Sequence, residues 1–413
     1  MGGNDKNILI VSYFYYTLNA NALCLEPVIN HLKKCGYNLH ILFCHSKPGN
    51  PREGTIVYQM PSFLLKMKTK LDDNMNRTLL WKAVGLLFQY LALLLSFERK
   101  FESKFISSAM VSYATEIIKE NNISQILSIS HPIINHQLAC NLKVVCDELK
   151  WTMYQLDPYT YNYALSEKEQ PSRRKLELKL LMKADKVILT EGIMAENRKR
   201  GFGGEFEGKI LSIPLPNLIF RPRLSDMPFK DFDETKINIL FAGNIYSNIR
   251  KPEVIFEILS NLGNSEFHLH LYGWGMERIV DKYPKIRKQV HLHGGVPKEA
   301  VMAAMNAASV LINFGNSMSN QTPSKIFDYI STGKPIINFS INENDSSLHY
   351  LKQYPLFLNM FIENELSDSA IDCFEKFCRT HSRSFVQHEK IEMLYKELLS
   401  ENVCTRVESY LSS

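Results

Sequence analysis

Residues 320–339, NQTPSKIFDYISTGKPIINF, constrain the fold more than any other stretch of this chain. Thr322 predicts a helix N-cap, and Pro323 suits the first helical position because its missing N–H is not needed there. Gly333 predicts the left-handed residue that ends the helix, and Pro335 prevents its continuation. The apolar residues that follow predict a buried strand. A loop, a short helix, a tight turn and a strand are the parts from which parallel α/β sheets are built.

The start of this predicted helix has the chemistry of an anion site. A helix N-terminus carries unsatisfied N–H groups and the positive end of the dipole. Thr322 and Ser324 add hydroxyls, Lys325 adds an ammonium, and Asp328 lies one turn further in, where it can accept hydrogen bonds from a sugar diol. A phosphate or diphosphate suits these groups. The alternative is an ordinary capped helix with solvated Lys325 and Asp328, and the spacing alone leaves both open.

Apolar runs of strand length alternate with helical patterns along the whole chain, which predicts an α/β fold. Residues 212–236 contain four prolines and no regular period, so we interpret them as a linker between two domains. The expected organisation is an N-terminal Rossmann-like domain (1–214), a linker (215–236), a second domain (237–385) and a C-terminal helical segment (386–413). The predicted strands are 7–13, 38–44, 125–129, 152–156, 186–190 and 210–213, then 237–241, 267–272, 290–293, 310–314 and 336–339.

Composition excludes several classes of protein. The balance of 48 Lys and Arg against 43 Asp and Glu gives a net charge of +5, which is too mild to imply a nucleic-acid partner. The eight cysteines have no CxxC pair and no metal-ligand spacing, so we expect free thiols in a reducing cytoplasm. No GxGxxG follows the first predicted strand, so a dinucleotide fingerprint is absent. We find no signal peptide before that strand.

The segment 66–105 differs from the rest of the first half. Basic residues flank an apolar run of about 15 residues, which is short of the roughly 20 that span a bilayer. Such a helix either lies in a membrane interface or packs in the protein with a solvated basic end. The pattern leaves both open and slightly favours packing.

Polar and small residues follow several predicted strands, at the edge where ligands bind in open α/β sheets. In the second half these are Gly243, Asn244, Arg250, Lys251, Gly273 and the turn at 294–297. In the first half Asp157 ends a strand, where it either faces a crevice or simply forms a turn before Pro158. His136 is on the first turn of a helix, where a packed or capping histidine is the ordinary reading.

These residues resemble the donor half of GT-B glycosyltransferases, family 4 in particular. The resemblance is carried by YGWG, VHLHGGVPKEAVMAAMNAASVLINF and PSKIFDYISTGKPIINF, while SHPIINH and MYQLDPYT are similar to cleft loops of such enzymes in bacterial polysaccharide assembly. It covers most of the chain and is strongest over 236–339. It implies two Rossmann-like domains facing a cleft, a C-terminal helix that crosses back to the N-terminal domain, a nucleotide-sugar donor, and neither a cofactor nor a metal.

The resemblance also implies roles for individual residues. Asp328 matches the position that binds the nucleotide ribose, and Gln321 to Lys325 match the diphosphate cradle. Asn320 stands, with Asp328, where the family has a pair of glutamates, so it cannot be an anionic group on the sugar. The remaining matches are Gly243, Asn244, Arg250 and Lys251 on the phosphates, Gly273 at the cleft edge, Gly295 and Val296 at the base, and Asp157 and His136 on the acceptor side.

The expected function is therefore a retaining, metal-independent transfer of a sugar from a nucleotide diphosphate to an acceptor hydroxyl, in the assembly of cell-surface polysaccharide or glycoconjugate. The expected partners are the donor and a glycan or lipid-linked acceptor, with contact to the membrane through 66–105. The expected location is the cytoplasm or the inner face of the plasma membrane. The alternatives are a non-catalytic glycosyltransferase-like binding subunit, which Asn320 favours, and a sugar-nucleotide 2-epimerase of the same fold.

Overall fold

The strand β1 (Asn7–Val11) is buried at every position after the first and lies inside a parallel sheet. The computed structural model describes residues 6–13, 15, 20–43, 53–60, 108–130, 132–162, 166–220, 229–245, 250–316, 319–362 and 366–413. The chain divides into two compact units, one formed by Met1–Pro216 with Val403–Ser413 and the other by Asn217–Asn402. The predicted segment 66–105 lies outside the described residues.

In the first unit, the described strands form a seven-stranded parallel sheet in the order β3-β2-β1-β4-β5-β6-β7. The strands after β1 are β2 (Asn38–Phe43), β3 (Thr55–Gln59), β4 (Gln125–Ser130), β5 (Lys150–Gln155), β6 (Lys186–Thr190) and β7 (Ile210–Ile213). The helices are α1 (Ala20–Lys34), α2 (Ser108–Glu120), α3 (Ile134–Val145), α4 (Gln170–Lys183) and α5 (Glu191–Lys199). The strand order reverses between β1 and β4.

In the second unit, the described strands form a six-stranded parallel sheet in the order β10-β9-β8-β11-β12-β13. The strands are β8 (Ile237–Ala242), β9 (Phe267–Tyr272), β10 (Val290–Gly294), β11 (Val310–Phe314), β12 (Ile336–Ser340) and β13 (Phe357–Phe361). The helices are α6 (Glu253–Leu262), α7 (Glu277–Val280), α8 (Lys298–Ala307), α9 (Lys325–Thr332), α10 (Ser346–Leu351), α11 (Asp368–His381) and α12 (His388–Leu394). This order reverses between β8 and β11.

Burial explains why the sequence specifies these sheets. The central strands β4, β11 and β12 are buried at every residue, as expected for a parallel sheet covered on both faces. Each unit has its own core of buried apolar side chains. Both units are doubly wound and Rossmann-like, and the predicted α/β fold class is therefore confirmed.

Two strands were absent from the sequence prediction, and both lie at the edge of a sheet. β3 has no fully buried residue, and β13 has one, Met360. An edge strand is covered less completely than a central one, so it does not need the continuous apolar run by which the other strands were recognised. Burial by neighbouring strands, rather than local pattern, decides these two elements.

The C-terminal segment is broken where the sequence predicts one helix from about Gln387 to Tyr410. The structure has α12, a 3₁₀ turn (Lys396–Leu398), an extended Leu399 and then α13 (Ser400–Ser412). The break is fixed by the N–H of Ser400, which donates to the carbonyl of Leu218 (2.9 Å). The break comes just before the point where the chain passes from the second unit, which ends at Asn402, to the first, which resumes at Val403.

The two halves of this segment make specific contacts. Tyr395, at the end of α12, donates its hydroxyl proton to the carbonyl of Tyr350 (2.8 Å) in the second unit. α13 belongs to the first unit, where Arg406 donates to the carbonyl of Ser212 (2.8 Å) and Lys186 donates to the carbonyl of Tyr410 (2.6 Å). The final helix therefore returns to the unit that contains the N-terminus.

Candidate functional site

The carboxyl ends of β8 and β11 define the centre of the candidate site in the second unit. The sheet order reverses between these two strands, and ligands of doubly wound sheets bind in the crevice at such a point. β8 is followed by Gly243 and Asn244, and β11 is followed by Gly315 and Asn316. Glycine at both strand ends lets neighbouring side chains approach the backbone closely: Asp345 fills the space beside Gly315, and Phe241 and Arg250 lie beside Gly243.

Arg250 connects the two strand-end loops. Its Nε donates to the Oδ1 of Asn316 (3.1 Å), and its Nη1 donates to the carbonyl of Asn244 (3.0 Å). The amide nitrogen of Asn316, which is buried, donates in turn to the carbonyl of Gln321 (2.8 Å). Arg250, Asn244 and Gln321, predicted from distant parts of the sequence, thus belong to one hydrogen-bonded network. The guanidinium is held at the switch point of the sheet.

The turn after β9 is fastened to the turn after β8. The backbone N–H of Trp274 donates to the Oδ1 of Asn244 (3.0 Å), and the N–H of Gly243 donates to the carbonyl of Tyr272 (2.8 Å). Gly273 has a φ of +125°, and a Cβ there would overlap the carbonyl oxygen of Gly243. Glycine is needed at 273 for both conformation and space.

An exposed aromatic face accompanies the next turn. The side chain of Trp274 is 61% exposed and lies against Gly294 and Gly295. A Cβ on Gly295 would come within 2.8 Å of the indole Nε1, so the close approach requires glycine. Val296 is partly buried beside this turn. A flat indole beside an open backbone is a surface on which a planar base can stack.

The helix α9 begins later than the sequence predicts. Thr322 is not its N-cap: the helix starts at Lys325 with Ser324 before it, and no side chain caps it. The N–H of Ile326 donates to the carbonyl of Pro323 and that of Phe327 to the carbonyl of Ser324, so the first turn is of the tighter 3₁₀ type. Thr322, Ser324 and Gln321 are all partly exposed on the approach to this turn.

Charged groups lie on the first turn of α9. The ammonium of Lys325 and the Oδ2 of Asp328 form an ion pair of 3.1 Å, with side-chain exposures of 29% and 16%. Lys325 is therefore held by Asp328 next to the helix N-terminus, where anions are stabilised. Lys251, by contrast, is exposed, and Asn320 is 3% exposed.

Two residues that the sequence analysis did not name position this site. Asn316 carries the link between Arg250 and Gln321 described above. The hydroxyl of Tyr329 on α9 accepts a hydrogen bond from the N–H of Ala242 (2.8 Å), and burial raises its pKa above the usual range. Tyr329 therefore fixes α9 against the end of β8. The sequence showed Tyr329 only as one of several aromatic residues on a helix, and nothing local marks Asn316 as a partner of Arg250.

In the first unit, His136 is a core residue. Its side chain is 0% exposed, and its Nδ1 is 2.8 Å from the Oγ of Ser128. The Nε1–H of Trp151 donates to the same oxygen (2.8 Å), so Ser128 joins the two side chains in one buried network. Burial lowers the pKa of His136 to about 3. A buried, neutral imidazole cannot exchange protons with a substrate, so the predicted catalytic position of His136 is corrected to a packing position.

Asp157 has a different environment. It follows β5 and is partly exposed. The loop that carries it is held by buried Glu177, whose carboxylate accepts from the amide of Gln155 (2.7 Å) and from the N–H and hydroxyl of Thr160. Burial raises the pKa of Glu177, while those hydrogen bonds and Arg173 oppose the shift. The structure thus gives Asp157 a fixed place at the carboxyl end of the first sheet.

Comparisons with known proteins agree with this architecture. Residues 236–349, from the start of β8 into α10, match the family model described as Glycosyl transferases group 1. That range contains all of the predicted donor-binding residues. A search of the curated protein sequences gives no match.

Solved structures match over almost the whole chain. Sucrose-phosphate synthase (tll1590) from Thermosynechococcus elongatus aligns with a TM-score of 0.66 at 12% identity, covering 98% of each chain. A structure described as trehalose-6-phosphate from E. coli bound with UDP-2-fluoro glucose aligns with a TM-score of 0.62 at 9% identity, covering 98% of this chain and 99% of the other. The chain has the GT-B fold. A putative UDP-N-acetylglucosamine 2-epimerase from Listeria monocytogenes also shares the GT-B fold, with a TM-score of 0.56 at 9% identity over 99% and 96% of the two chains. At such identities the likeness concerns the fold alone.

Proposed function

We propose that this protein is a retaining glycosyltransferase that moves a sugar from a nucleotide diphosphate to an acceptor hydroxyl. The observation that supports this proposal most is the position of Arg250, which is held by Asn316 and Asn244 at the switch point of the second sheet. That point lies inside the range that matches group 1 glycosyl transferases. A fixed guanidinium at a sheet edge suits a diphosphate, because its planar donors match phosphate oxygens.

The proposed donor site divides the nucleotide sugar among three groups of residues. Arg250, Lys325 and the N–H groups at the start of α9 bind the diphosphate, with Lys251 contributing from the surface. Asp328 accepts hydrogen bonds from the ribose hydroxyls. Gly273, Gly295 and Val296 lie beside the exposed indole of Trp274, and this surface takes the base.

The reaction breaks the bond between the anomeric carbon and the leaving phosphate oxygen and forms a bond from that carbon to the acceptor oxygen, and the proton of the acceptor hydroxyl passes to the departing diphosphate. Negative charge grows on the diphosphate as it leaves. Arg250, Lys325 and the positive end of α9 stabilise that charge, and preorganised donors of this kind each contribute about 2.7–4 kcal/mol of transition-state stabilisation. These cations take the part that a divalent metal ion has in other transferases, so we propose metal-independent transfer.

On the acceptor side, Asp157 is the proposed carboxylate at the end of the first sheet. Asn320 is proposed to contact the transferred sugar as a neutral amide. The acceptor is a glycan or a lipid-linked glycan of the cell surface, in polysaccharide or glycoconjugate assembly. No nucleic-acid partner is proposed.

Two other functions are compatible with the GT-B fold. The Listeria protein described above is a putative 2-epimerase, and an enzyme of that kind would convert the nucleotide sugar with no acceptor present. A non-catalytic binding subunit would bind the nucleotide sugar and release nothing. Asn320, in place of a carboxylate, is the feature that favours the second alternative.

A binding and turnover screen separates these functions. The purified protein is mixed with UDP-, GDP- and dTDP-sugars without added metal, and thermal stability and product masses are measured. Stabilisation by one donor with slow release of its free nucleoside diphosphate supports a transferase. A change in the sugar without release supports the epimerase, and stabilisation without any product supports the binding subunit. Failure of every donor to bind refutes the proposed donor site.

We also propose a peripheral contact with the membrane through the basic, apolar segment 66–105. Among the described residues no helix has the length and apolar character needed to cross a bilayer. Binding to vesicles containing anionic lipid at low salt, and its loss at high salt, would support the contact. No binding at low salt would rule it out.

A further inference from the structure

Four histidines occupy one face of two neighbouring strands at the edge of the second sheet. His268 and His270 are on β9, and His291 and His293 are on β10, in a register that pairs His270 with His291. The intervening residues of β9 point to the opposite face, where Leu269 and Leu271 join the core. β10 is the edge strand of the described sheet, so the histidine face is only partly covered. We call these four residues the histidine face.

The rings of the histidine face contact one another through nitrogen atoms. The Nε2 of His291 is 3.1 Å from the Nδ1 of His268, and the Nδ1 of His270 is 3.1 Å from the Nε2 of His293. The Nε2 of His270 is 3.1 Å from the Oδ1 of Asn238 on β8. The rings of His270 and His291 stack at 4.6 Å. Apart from the Nε2 of His270, the ring nitrogens in these contacts therefore point toward each other.

The hydrogen bonds determine which nitrogens carry lone pairs. The amide nitrogen of Asn238 donates to the carbonyl of Asp233 (2.9 Å), so its Oδ1 is the atom that faces His270. An amide oxygen only accepts, and the Nε2 of His270 must therefore carry a proton. His270 is neutral, so its Nδ1 has a lone pair and accepts from the Nε2–H of His293. By the same logic, one nitrogen of each close pair is an acceptor.

The surroundings keep these imidazoles neutral while supplying negative charge nearby. Burial lowers the pKa of all four histidines, and that of His270 falls to about 3. The negative charge of Asp231 raises the pKa of His293, and that of Asp233 raises the pKa of His268, which partly opposes the effect of burial. The positive charges of Lys236 and Arg287 lower the pKa of His268 and of His291, respectively. Phe232 covers the ring of His270 at 4.1 Å.

We propose that His268, His270 and His291 bind a divalent transition-metal ion of the zinc class. Ligand nitrogens of these three residues all lie within 4.8 Å of one another. In a tetrahedral site with Zn–N bonds of 2.0–2.1 Å, two ligand nitrogens are about 3.4 Å apart. The pair formed by His268 and His291 is close to that separation at 3.1 Å. Neutral imidazole is a preferred ligand of Zn²⁺, Cu²⁺ and Ni²⁺.

Metal binding requires a change of tautomer and a rotation of one ring. The proton shared by His268 and His291 moves to the other nitrogen of its ring, so that both lone pairs face the ion and no proton is released. The ring of His270, which stacks on that of His291, must turn so that its ligand nitrogen approaches the other two from within 4.8 Å to the separation expected of tetrahedral ligands. Whichever nitrogen of His270 binds, the other keeps a partner, either the Oδ1 of Asn238 or the Nε2 of His293. Outer partners of this kind orient ligating histidines in metalloproteins.

The ion would join the edge strand β10, near its amino end, to the first half and middle of β9. His293 stacks on Tyr272 with ring centroids 4.2 Å apart, and Gly273 follows Tyr272 directly. An ion on the histidine face therefore stiffens the strands that support the turns at Gly273 and Gly294. This inference is independent of the proposed transfer reaction.

The test is direct metal titration of the full chain, prepared without a polyhistidine tag and treated with chelator. Zn²⁺ binding is measured by calorimetry, and Co²⁺ reports tetrahedral geometry through its visible absorption. We expect one saturable site. The side chains of His268 and His291 are partly exposed. The variants His268→Gln and His291→Gln should each bind Zn²⁺ at least tenfold more weakly, because each removes one of the three ligands. His270→Gln is not the deciding variant, because that residue is fully buried.

The matched control is His349→Gln, an exposed histidine on α10 of the same unit. It should bind Zn²⁺ as the unchanged protein does, and circular dichroism should show all three variants folded. Zn²⁺ should raise the melting temperature of the unchanged protein and of His349→Gln but of neither other variant. The proposal would be overturned if the unchanged protein had no saturable site. It would also be overturned if His268→Gln and His291→Gln bound Zn²⁺ as tightly as the unchanged protein.

Discussion

Replacing Arg250 with glutamine removes one positive charge from the switch point of the second sheet and keeps a polar side chain of moderate length. The change eliminates the hydrogen bonds to the Oδ1 of Asn316 and to the carbonyl of Asn244. Losing one preorganised donor to a developing anion lowers kcat by about 10²–10³-fold, or about 2.7–4 kcal/mol. We therefore expect kcat/KM for the donor to fall by about 10²–10³-fold.

The same substitution has a smaller effect on stability. Hydrogen bonds of charged groups contribute about 1.5–3 kcal/mol when they are protected from water, but Arg250 is only half-buried. We expect the free energy of unfolding to fall by about 1–3 kcal/mol. This loss leaves a folded protein whose kinetics can be measured, since domains have free energies of unfolding of about 5–15 kcal/mol.

The assay is the initial rate of nucleoside diphosphate release with the donor identified by the screen, together with urea denaturation of each variant. Lys251→Gln is the graded comparison, because it removes the same charge from the next residue, which is exposed and contributes to the diphosphate site only from the surface. It should retain most of the activity. Asn316→Ala keeps the charge of Arg250 but removes its support, so its loss should lie between the other two. A value of kcat/KM for Arg250→Gln within threefold of the unchanged protein would refute the assigned role.

Three further predictions concern other parts of the molecule. Lys325→Ala should reduce turnover by about 10²-fold while the circular dichroism spectrum stays unchanged, and unaltered kinetics would exclude Lys325 from the diphosphate site. Gly273→Ala should lower the free energy of unfolding by about 1–3 kcal/mol or more in urea denaturation, because φ is +125° and the new Cβ would overlap the carbonyl of Gly243. Gly208→Ala is the control: there is open space around that residue, so the free energy of unfolding should change little. Burial depresses the pKa of His136, so the unfolded chain binds more protons than the folded one below pH 6.5. The free energy of unfolding should therefore fall as the pH is lowered from 6.5 to about 3, by at most about 1.4 kcal/mol per pH unit. His136→Gln should show a correspondingly shallower loss between pH 7 and pH 5, and an equal slope would contradict the assignment of a neutral, buried imidazole.

The sequence predicted the central strands well because their residues are buried on both faces. Runs such as 237–241 and 310–314 carry that burial in their own composition, independently of their neighbours. It also predicted the left-handed residue at Gly333, a backbone conformation that other residues rarely adopt. The edge strands β3 and β13 had no such local signature.

The candidate site divides in the same way. The sequence identified Asn244 and Arg250 by residue type after a strand, and Gln321 through the family resemblance. It could not show that Asn316 joins Arg250 to Gln321, because Arg250 and Asn316 lie in loops separated by three strands, three helices and more than 60 positions of the printed chain. His136 shows a different case: its position on a helix favoured a packed or capping histidine, whereas the family resemblance implied the acceptor side. The packing of Ser128 and Trp151 around it supports the packed position.

By itself, then, the sequence determined the alternation of strands and helices, the proline-rich segment between the two halves, and the residue types available at each strand end. These follow from burial, backbone conformation and charge, which are properties of each local segment. The tertiary structure alone decided the start of α9, the break between α12 and α13, and the meeting of four histidines on one face. Those outcomes depend on which strands are neighbours in a sheet and on which backbone carbonyls accept hydrogen bonds from distant parts of the chain. Contacts between distant segments determine both.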